Sequence, residues 1–147
     1  MPDSQRINAA RALLGTTPLV MRTVGRAMRL SGGPLLPQQY RLLGAIARKP
    51  RTLGHIARMQ GVTPATATTL VTTLETRGWV TRQSDPEDRR RVIVTLTEGG
   101  SEVLAAGQRV AESAMAEMLA PLSAEQLGAL LAGLAVLNDI GSGDPCA

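Results

Sequence analysis

Two short runs of side chains carry most of the chemistry in this 147-residue chain. Six threonines lie between Thr63 and Thr73, and three consecutive arginines, Arg89 to Arg91, follow Asp88. Threonine hydroxyls can hydrogen-bond phosphates or base edges, and threonine methyls can contact the methyl group of thymine. Arginines presented on a turn suit the electronegative minor groove of DNA and its flanking phosphates. Both runs therefore favour contact with a nucleic acid.

Each run also has a purely structural explanation, which the sequence leaves open. The threonines can form an exposed helix face without a partner, although their stiff side chains suit such a face poorly. The arginines can be neutralised in a solvated turn by the nearby Asp85, Glu87 and Asp88. In the nucleic-acid hypothesis, Asp88 instead positions one arginine through an ion pair.

Catalytic and metal chemistry find little support in the sequence. Cys146 and His55 are the only soft ligands, so an internal disulfide and a cysteine–histidine zinc site are both excluded. His55 lies apart from any cluster of acids or cysteines and is expected on the surface. With no glycine-rich phosphate loop either, we expect no enzyme activity, no cofactor and no metal.

A helix must carry the threonines. Thr63-Pro64 supplies a capping residue and a helix-start proline for a helix over 64–77. A short helix over 52–59 precedes it and ends at Gly61, which predicts a helix-turn-helix whose second helix can lie in the DNA major groove. The residues expected on the exposed face of that second helix are Ala65, Thr66, Thr68, Thr69, Thr72 and Thr73.

A β-hairpin must carry the arginines. Residues 79–83 and 92–96 are rich in β-forming residues, and the segment between them is charged. This pattern predicts a wing, the hairpin and its projecting tip, with Trp79 in the core. The predicted fold class is mainly α with a small β-hairpin (α+β), a winged helix-turn-helix.

The flanking segments predict helices with uncovered apolar faces. A seam at spacings of three and four runs from Ile7 to Met28, with a kink or break expected at 15–18, and a further helix covers 38–48. Thr97 caps a helix to about Leu119, and a capping box at Ser123 begins the last helix. Its apolar face consists of Leu127, Leu130, Leu131, Leu134 and Leu137. A small lobe cannot cover these faces, so we expect a homodimer.

Charge is unevenly distributed along the chain. Residues 1–50 carry eight Lys/Arg and one acid, whereas residues 98–147 carry one Arg and seven acids. This division favours a surface for a polyanion or attraction between halves across a dimer, and two solvated faces are the alternative. The polar start and the short apolar stretch from Ala129 to Leu137 predict a soluble, cytoplasmic, single-domain chain without a membrane span.

Several motifs together resemble the MarR family of bacterial transcriptional regulators. They are Gly61-Val62-Thr63, Leu74-Glu75, Arg77-Gly78-Trp79-Val80, Asp88-Arg89-Arg90 and Val94-Thr95-Leu96-Thr97-Glu98-Gly99-Gly100. The resemblance covers about residues 36–138. It implies a homodimer with a DNA-binding lobe over 36–97 and dimerisation helices over 4–30 and 98–138. It also implies a pseudo-palindromic operator, release by a small molecule, and Arg90 as the arginine that enters the minor groove.

The chain departs from the family pattern in two places. Thr69 and Thr73 stand where many members have arginine, so binding should depend more on the wing and be weaker, or the operator should be unusual. Leu36-Pro37 replaces the commoner capped start of the second helix. Oxidant sensing through an N-terminal cysteine, known in the family, is not expected, because the single thiol, Cys146, lies in the tail.

The resemblance also suggests a ligand pocket between the dimer helices and the lobe. Arg22, Arg26 and Tyr40 are the candidates to hold a small aromatic or anionic ligand there. Alternatively, these arginines face water or pair with Glu112 or Glu117 across the dimer.

The sequence thus predicts a sequence-specific DNA-binding regulator, with repression as the expected action. The candidate contact residues are Thr63, Ala65, Thr66, Thr68, Thr69, Thr72, Thr73, Arg89, Arg90 and Arg91, with Asp88 supporting the wing. The alternative is a winged-helix module that binds a protein instead of DNA.

Overall fold

The computed structural model describes residues 2–141. The helices are α1 (Pro2–Leu30), α2 (Pro37–Arg48), α3 (Leu53–Gln60), α4 (Pro64–Thr76), α5 (Glu98–Leu119) and α6 (Ala124–Gly141). The strands are β1 (Arg51–Thr52), β2 (Val80–Ser84) and β3 (Val92–Leu96). The predicted class, mainly helical with a small β-hairpin, is confirmed. We call α2, α3, α4 and the sheet the winged-helix lobe.

The sheet is antiparallel, with β3 between β1 and β2. In the hairpin, Val80 pairs with Leu96 and Ser84 with Val92, so the wing predicted from the sequence is present. The short strand β1 was not predicted, because two residues are too few to show a periodic pattern. It pairs with the middle of β3 and ties the start of α3 to the hairpin.

The core of the winged-helix lobe combines residues from each of its larger elements. Leu43 of α2, Ile56 of α3, Val71 of α4 and Val94 of β3 are completely buried. Trp79 is also buried, as predicted, and the Arg77 guanidinium lies 5.0 Å from the centre of its ring. Since four elements share one apolar cluster, the lobe can hold its own shape without a partner.

Local capping fixes where the helices begin. The side chains of four predicted capping residues accept hydrogen bonds from the backbone three residues later: Thr52, Thr63, Thr97 and Ser123. At the uncapped start of α2, Gln39 Oε1 accepts from the Leu36 backbone N–H at 3.0 Å, which satisfies one otherwise free donor. The departure from the family pattern at Leu36-Pro37 therefore leaves the helix start intact.

Of the kink or break predicted at 15–18, the break is wrong, because α1 continues through Pro18, and the kink stays a prediction. Proline removes one backbone hydrogen bond, but its fixed φ is compatible with a helix. The hydroxyls of Thr16 and Thr17 donate at 2.8 Å to the carbonyls of Ala12 and Leu13. These threonines bond within one continuous helix and do not cap a new one.

The first and fifth helices pack closely at Gly107. A Cβ at this position would lie 2.8 Å from Leu35 Cδ2 and 3.1 Å from the Met28 terminal methyl. Farther along, the Thr23 hydroxyl donates to Met118 Sδ at 3.6 Å. The absence of a side chain at Gly107 therefore allows α1 and α5 to approach closely.

Candidate nucleic-acid interface

A short turn presents α4 to solvent. Gly61 adopts a left-handed conformation (φ 63°) that ends α3, and Thr63 caps α4 two residues later. The Thr63 Oγ1 accepts from the Thr66 backbone N–H at 3.2 Å and lies 2.9 Å from the Thr66 hydroxyl. Thr63, a candidate contact residue, therefore already stabilises the helix start, while Ala65 and Thr66 are exposed on the first turn.

Exposed threonines form two adjacent rows along α4. One row contains Thr68, Thr72 and Thr76, the other contains Thr69 and Thr73, and the groove they line measures about 370 Å³. Every hydroxyl in these rows donates to the carbonyl four residues earlier, at distances of 2.8–3.2 Å. A threonine has one hydroxyl proton, so donation to a phosphate requires breaking an existing bond.

An ion pair that the sequence analysis missed joins α4 to the wing. Arg82 of β2 donates to Glu75 Oε2 from Nε at 2.9 Å and from Nη2 at 2.6 Å. Arg82 Nη2 also donates to Thr72 Oγ1 at 3.3 Å. The hydrogen bond from Arg82 lowers the pKa of the Glu75 carboxyl below its ordinary value. The only hint in the sequence was an opposite charge on each side of the turn at Gly78.

Hydrogen bonds within the turn shape the tip of the wing. Asp88 Oδ1 accepts from the Arg90 backbone N–H at 3.0 Å, and Asp88 Oδ2 lies 3.6 Å from Arg91 Nε. Asp88 therefore supports the tip and pairs with one arginine. The side chains of Arg89 and Arg90 are exposed and make no hydrogen bond or ion pair within residues 2–141.

Positive charge also lines a groove between the wing and α3. A second open groove, of about 400 Å³, separates the wing from α3. Arg58 of α3 borders this groove opposite Arg90 and Arg91. Three arginines around one groove raise the local attraction for a polyanion. Arg58 was not among the predicted contact residues.

The candidate ligand residues lie in two different environments. Arg22 and Arg26 are exposed on α1, whereas Tyr40 is half-buried against Gly107. Burial raises the pKa of the Tyr40 hydroxyl, and the nearby Glu112 carboxylate raises it further. A cavity of about 130 Å³ lies between α1, the loop after it and α5, and none of Arg22, Arg26 and Tyr40 lines it, although Gly107, which Tyr40 contacts, does.

His55 was expected on the surface, but it is half-buried beside Arg51. Arg51 Nη1 lies 2.9 Å from His55 Nε2, so the guanidinium donates to the imidazole. Within residues 2–141, no cluster of three histidine, cysteine or acidic side chains is placed to hold a metal ion. Cys146, the basis of the thiol prediction, lies outside the described residues.

Two helices expose apolar faces that one copy of the chain leaves uncovered. No residue of α6 is buried, and Leu131 is 67% exposed. In the α1 seam, Met28 is buried in the core, whereas Leu14 is 74% exposed. Exposed leucines on this scale are typical of a surface that associates with another apolar surface.

None of the helices described between residues 2 and 141 has the length and apolar character required to cross a membrane.

Solved structures with the same architecture define the class of this protein. Wild-type MarR from Escherichia coli superimposes with a TM-score of 0.73 at 21% identity, over 87% of this chain and 94% of that one. Transcriptional regulator Tm0710 from Thermotoga maritima gives 0.68 at 28% identity, over 90% and 93%. The fold is that of a winged-helix regulator.

Sequence comparisons identify the family. The MarR family model matches residues 34–91, from the loop before α2 to the wing tip. Transcriptional regulator HosA from Escherichia coli O111:H- is 37% identical over 94 residues, which are 63% of this chain and 69% of HosA. The HTH-type regulator Mb0904 from Mycobacterium bovis is 30% identical over 108 residues, 71% and 76% of the two chains. The chain belongs to the MarR family and is a transcriptional regulator.

Proposed function

We propose that this regulator binds double-stranded DNA sequence-specifically, with α4 in the major groove and the wing tip in the adjacent minor groove. The observation that carries the proposal is the Arg82 bridge, which holds β2 against Thr72 and Glu75 of α4. Helix and wing form one unit, so neighbouring grooves of one duplex can receive both. The proposed contacts are Thr63, Ala65, Thr66, Thr68, Thr69, Thr72, Thr73, Arg89, Arg90 and Arg91, with Asp88 supporting the wing.

The proposed DNA-binding unit is a homodimer. The uncovered leucines of α6 and the outer part of the α1 seam supply the apolar surface that two copies would share. A twofold axis between the copies would present two α4 helices to a pseudo-palindromic operator. Half-sites would then lie about 34–36 Å apart, one turn of the duplex.

Repression and release by a ligand complete the proposal. A dimer bound across a promoter would block access of RNA polymerase, and a reporter gene should become more active when the regulator is deleted. The ligand would be a small aromatic or anionic molecule that enters between α1 and α5 beside Tyr40. Arg22 and Arg26 would meet its charge if a partner copy closes the site.

Binding can be tested by fluorescence anisotropy against a library of genomic fragments at several salt concentrations. Arg90→Ala should weaken binding to every fragment and reduce the salt slope by about one, because one phosphate-neutralising charge is lost. Arg109→Ala, an exposed arginine on α5, is the matched control and should change little. Absence of salt-sensitive binding at low ionic strength would contradict the proposal.

A protein-binding role is the second candidate function. It is favoured by one observation: the exposed hydroxyls of α4 donate to their own helix, and α4 carries no lysine or arginine. In a pull-down from cell extract, a stoichiometric protein that DNA does not displace would support this function over DNA binding.

A further inference from the structure

The donors on α4 determine which base pairs this helix can read. Guanine presents two acceptors, N7 and O6, in the major groove, so its recognition requires donors. Besides threonines, the Pro64–Thr76 helix contains only alanine, leucine, valine, proline and one glutamate. The threonine hydroxyls of both rows give their protons to backbone carbonyls at 2.8–3.2 Å. Within these two rows no hydroxyl proton is free to donate.

The arginines nearest to this face are already engaged. Arg77 Nη1 donates to the Pro34 carbonyl at 3.0 Å, and its guanidinium lies over Trp79. Arg82 donates to Glu75 and Thr72. These interactions hold both guanidinium groups against the protein.

What remains exposed on α4 matches an A·T pair. A hydroxyl turned toward the preceding turn leaves the threonine γ-methyl on the outside, and the wall of the groove between the rows is mostly carbon. The hydroxyl oxygens keep their acceptor lone pairs. An A·T pair presents both a thymine methyl and the adenine N6 donor, whereas a G·C pair presents the cytosine N4 donor beside two guanine acceptors but lacks the methyl, so the methyl is the group that distinguishes the two pairs.

We propose that α4 recognises thymine methyl groups in the major groove, with the hydroxyl oxygens of its two threonine rows serving only as acceptors. This inference rests on the proposed DNA binding. The wing arginines and Arg58 supply the contacts to phosphate, so affinity and base discrimination come from different parts of the molecule.

The experiment uses duplexes selected by the full-length protein from a random library. Thymines at positions protected in the major groove are replaced one at a time by deoxyuridine, which removes only the methyl group. Binding should weaken about four-fold for each methyl that a threonine contacts. Equal binding of the thymine and uracil duplexes at every position would overturn this inference while leaving the proposed DNA binding in place. If no duplex can be selected, the proposed function itself fails.

Paired variants separate the methyl from the hydroxyl. Thr69→Val with Thr73→Val keeps the methyls and removes the hydroxyls, whereas Thr69→Ser with Thr73→Ser does the reverse. We expect the valine variant to retain the preference for thymine over uracil and the serine variant to lose it. The opposite pattern would show that the threonine methyls do not make the contact with the thymine methyl and would overturn the inference. Circular dichroism confirms that each variant is folded, and Thr72 stays unchanged because it accepts from Arg82.

Discussion

The winged-helix lobe and the terminal helices differ in how well each covers its own apolar surface. In the lobe, Leu43, Ile56 and Val94 are completely buried, and capping residues fix the helix starts. In α6 no residue is buried, and the leucines that follow a regular helical pattern face outward. The comparison teaches that one region buries its apolar surface within a single chain, whereas the other leaves it uncovered, as the proposed homodimer requires.

The largest expected effect comes from placing a charge on the uncovered apolar face of α6. Leu131→Glu costs little in a lone chain, but in a dimer it buries an unpaired charge, at about 3–5 kcal/mol. The dimer dissociation constant should rise by at least about 100-fold. Sedimentation velocity at micromolar concentration should then show a monomer. Met59→Glu, at an exposed position on α3, is the control and should remain dimeric. If the Leu131→Glu protein remained dimeric, the exposed face of α6 would not be the surface that two copies share.

A smaller effect is expected from crowding the point where α5 contacts the winged-helix lobe. A Cβ at Gly100 would collide with the backbone carbonyl of Trp79 at the base of the hairpin. Gly100→Ala should therefore lower the free energy of unfolding by about 3 kcal/mol, measured by urea denaturation. Gly44→Ala on α2 is the matched control, since no neighbouring atom lies within 4 Å, and it should stabilise by up to about 1 kcal/mol. Equal stability of the two variants would show that α5 does not pack tightly against the Trp79 carbonyl.

The smallest expected effect concerns the link between α4 and the wing. Glu75→Gln removes the charge that pairs with Arg82, so the variant should be slightly less stable than the unmodified protein at neutral pH. Because the folded-state pKa of Glu75 is lowered, this contribution is present above the unfolded-state pKa of about 4.3 and is lost as pH falls through the folded-state value.

Thermal melting at several pH values checks this expectation. The difference between the two proteins should shrink as pH falls below the unfolded-state pKa of about 4.3 and close once pH lies below the lowered folded-state pKa of Glu75. Glu102→Gln, an exposed glutamate on α5, controls for the general effect of removing one negative charge. A difference that persists at low pH would mean that the side-chain amide, and not the lost charge, weakens the link.

Much of the fold was predictable because it depends on local chemistry. Caps such as Thr63 and Thr97 act within three residues, so helix starts could be read directly from the sequence. The wing followed from two β-rich segments around a charged turn. By contrast, continuity through Pro18 depends on a balance between one lost hydrogen bond and an otherwise regular helix, which residue type alone does not decide.

The site was predictable in its residue types but not in its bonding. The exposure of Thr68, Thr69 and Thr72 follows from helical periodicity. The direction of each hydroxyl depends on a side-chain rotamer, and the Glu75–Arg82 pair depends on how a turn folds a strand back onto a helix. Neither has a signature in a linear sequence.

The junction at Gly100 has a mechanical consequence. The first turn of α5 abuts the Trp79 carbonyl, and the Thr97 hydroxyl donates to the carbonyl of Gly78. These two contacts hold the start of α5 directly against the base of the hairpin. A tilt of α5 would therefore move the hairpin and α4 together, and in the proposed homodimer such a tilt would change the distance between the two copies of α4.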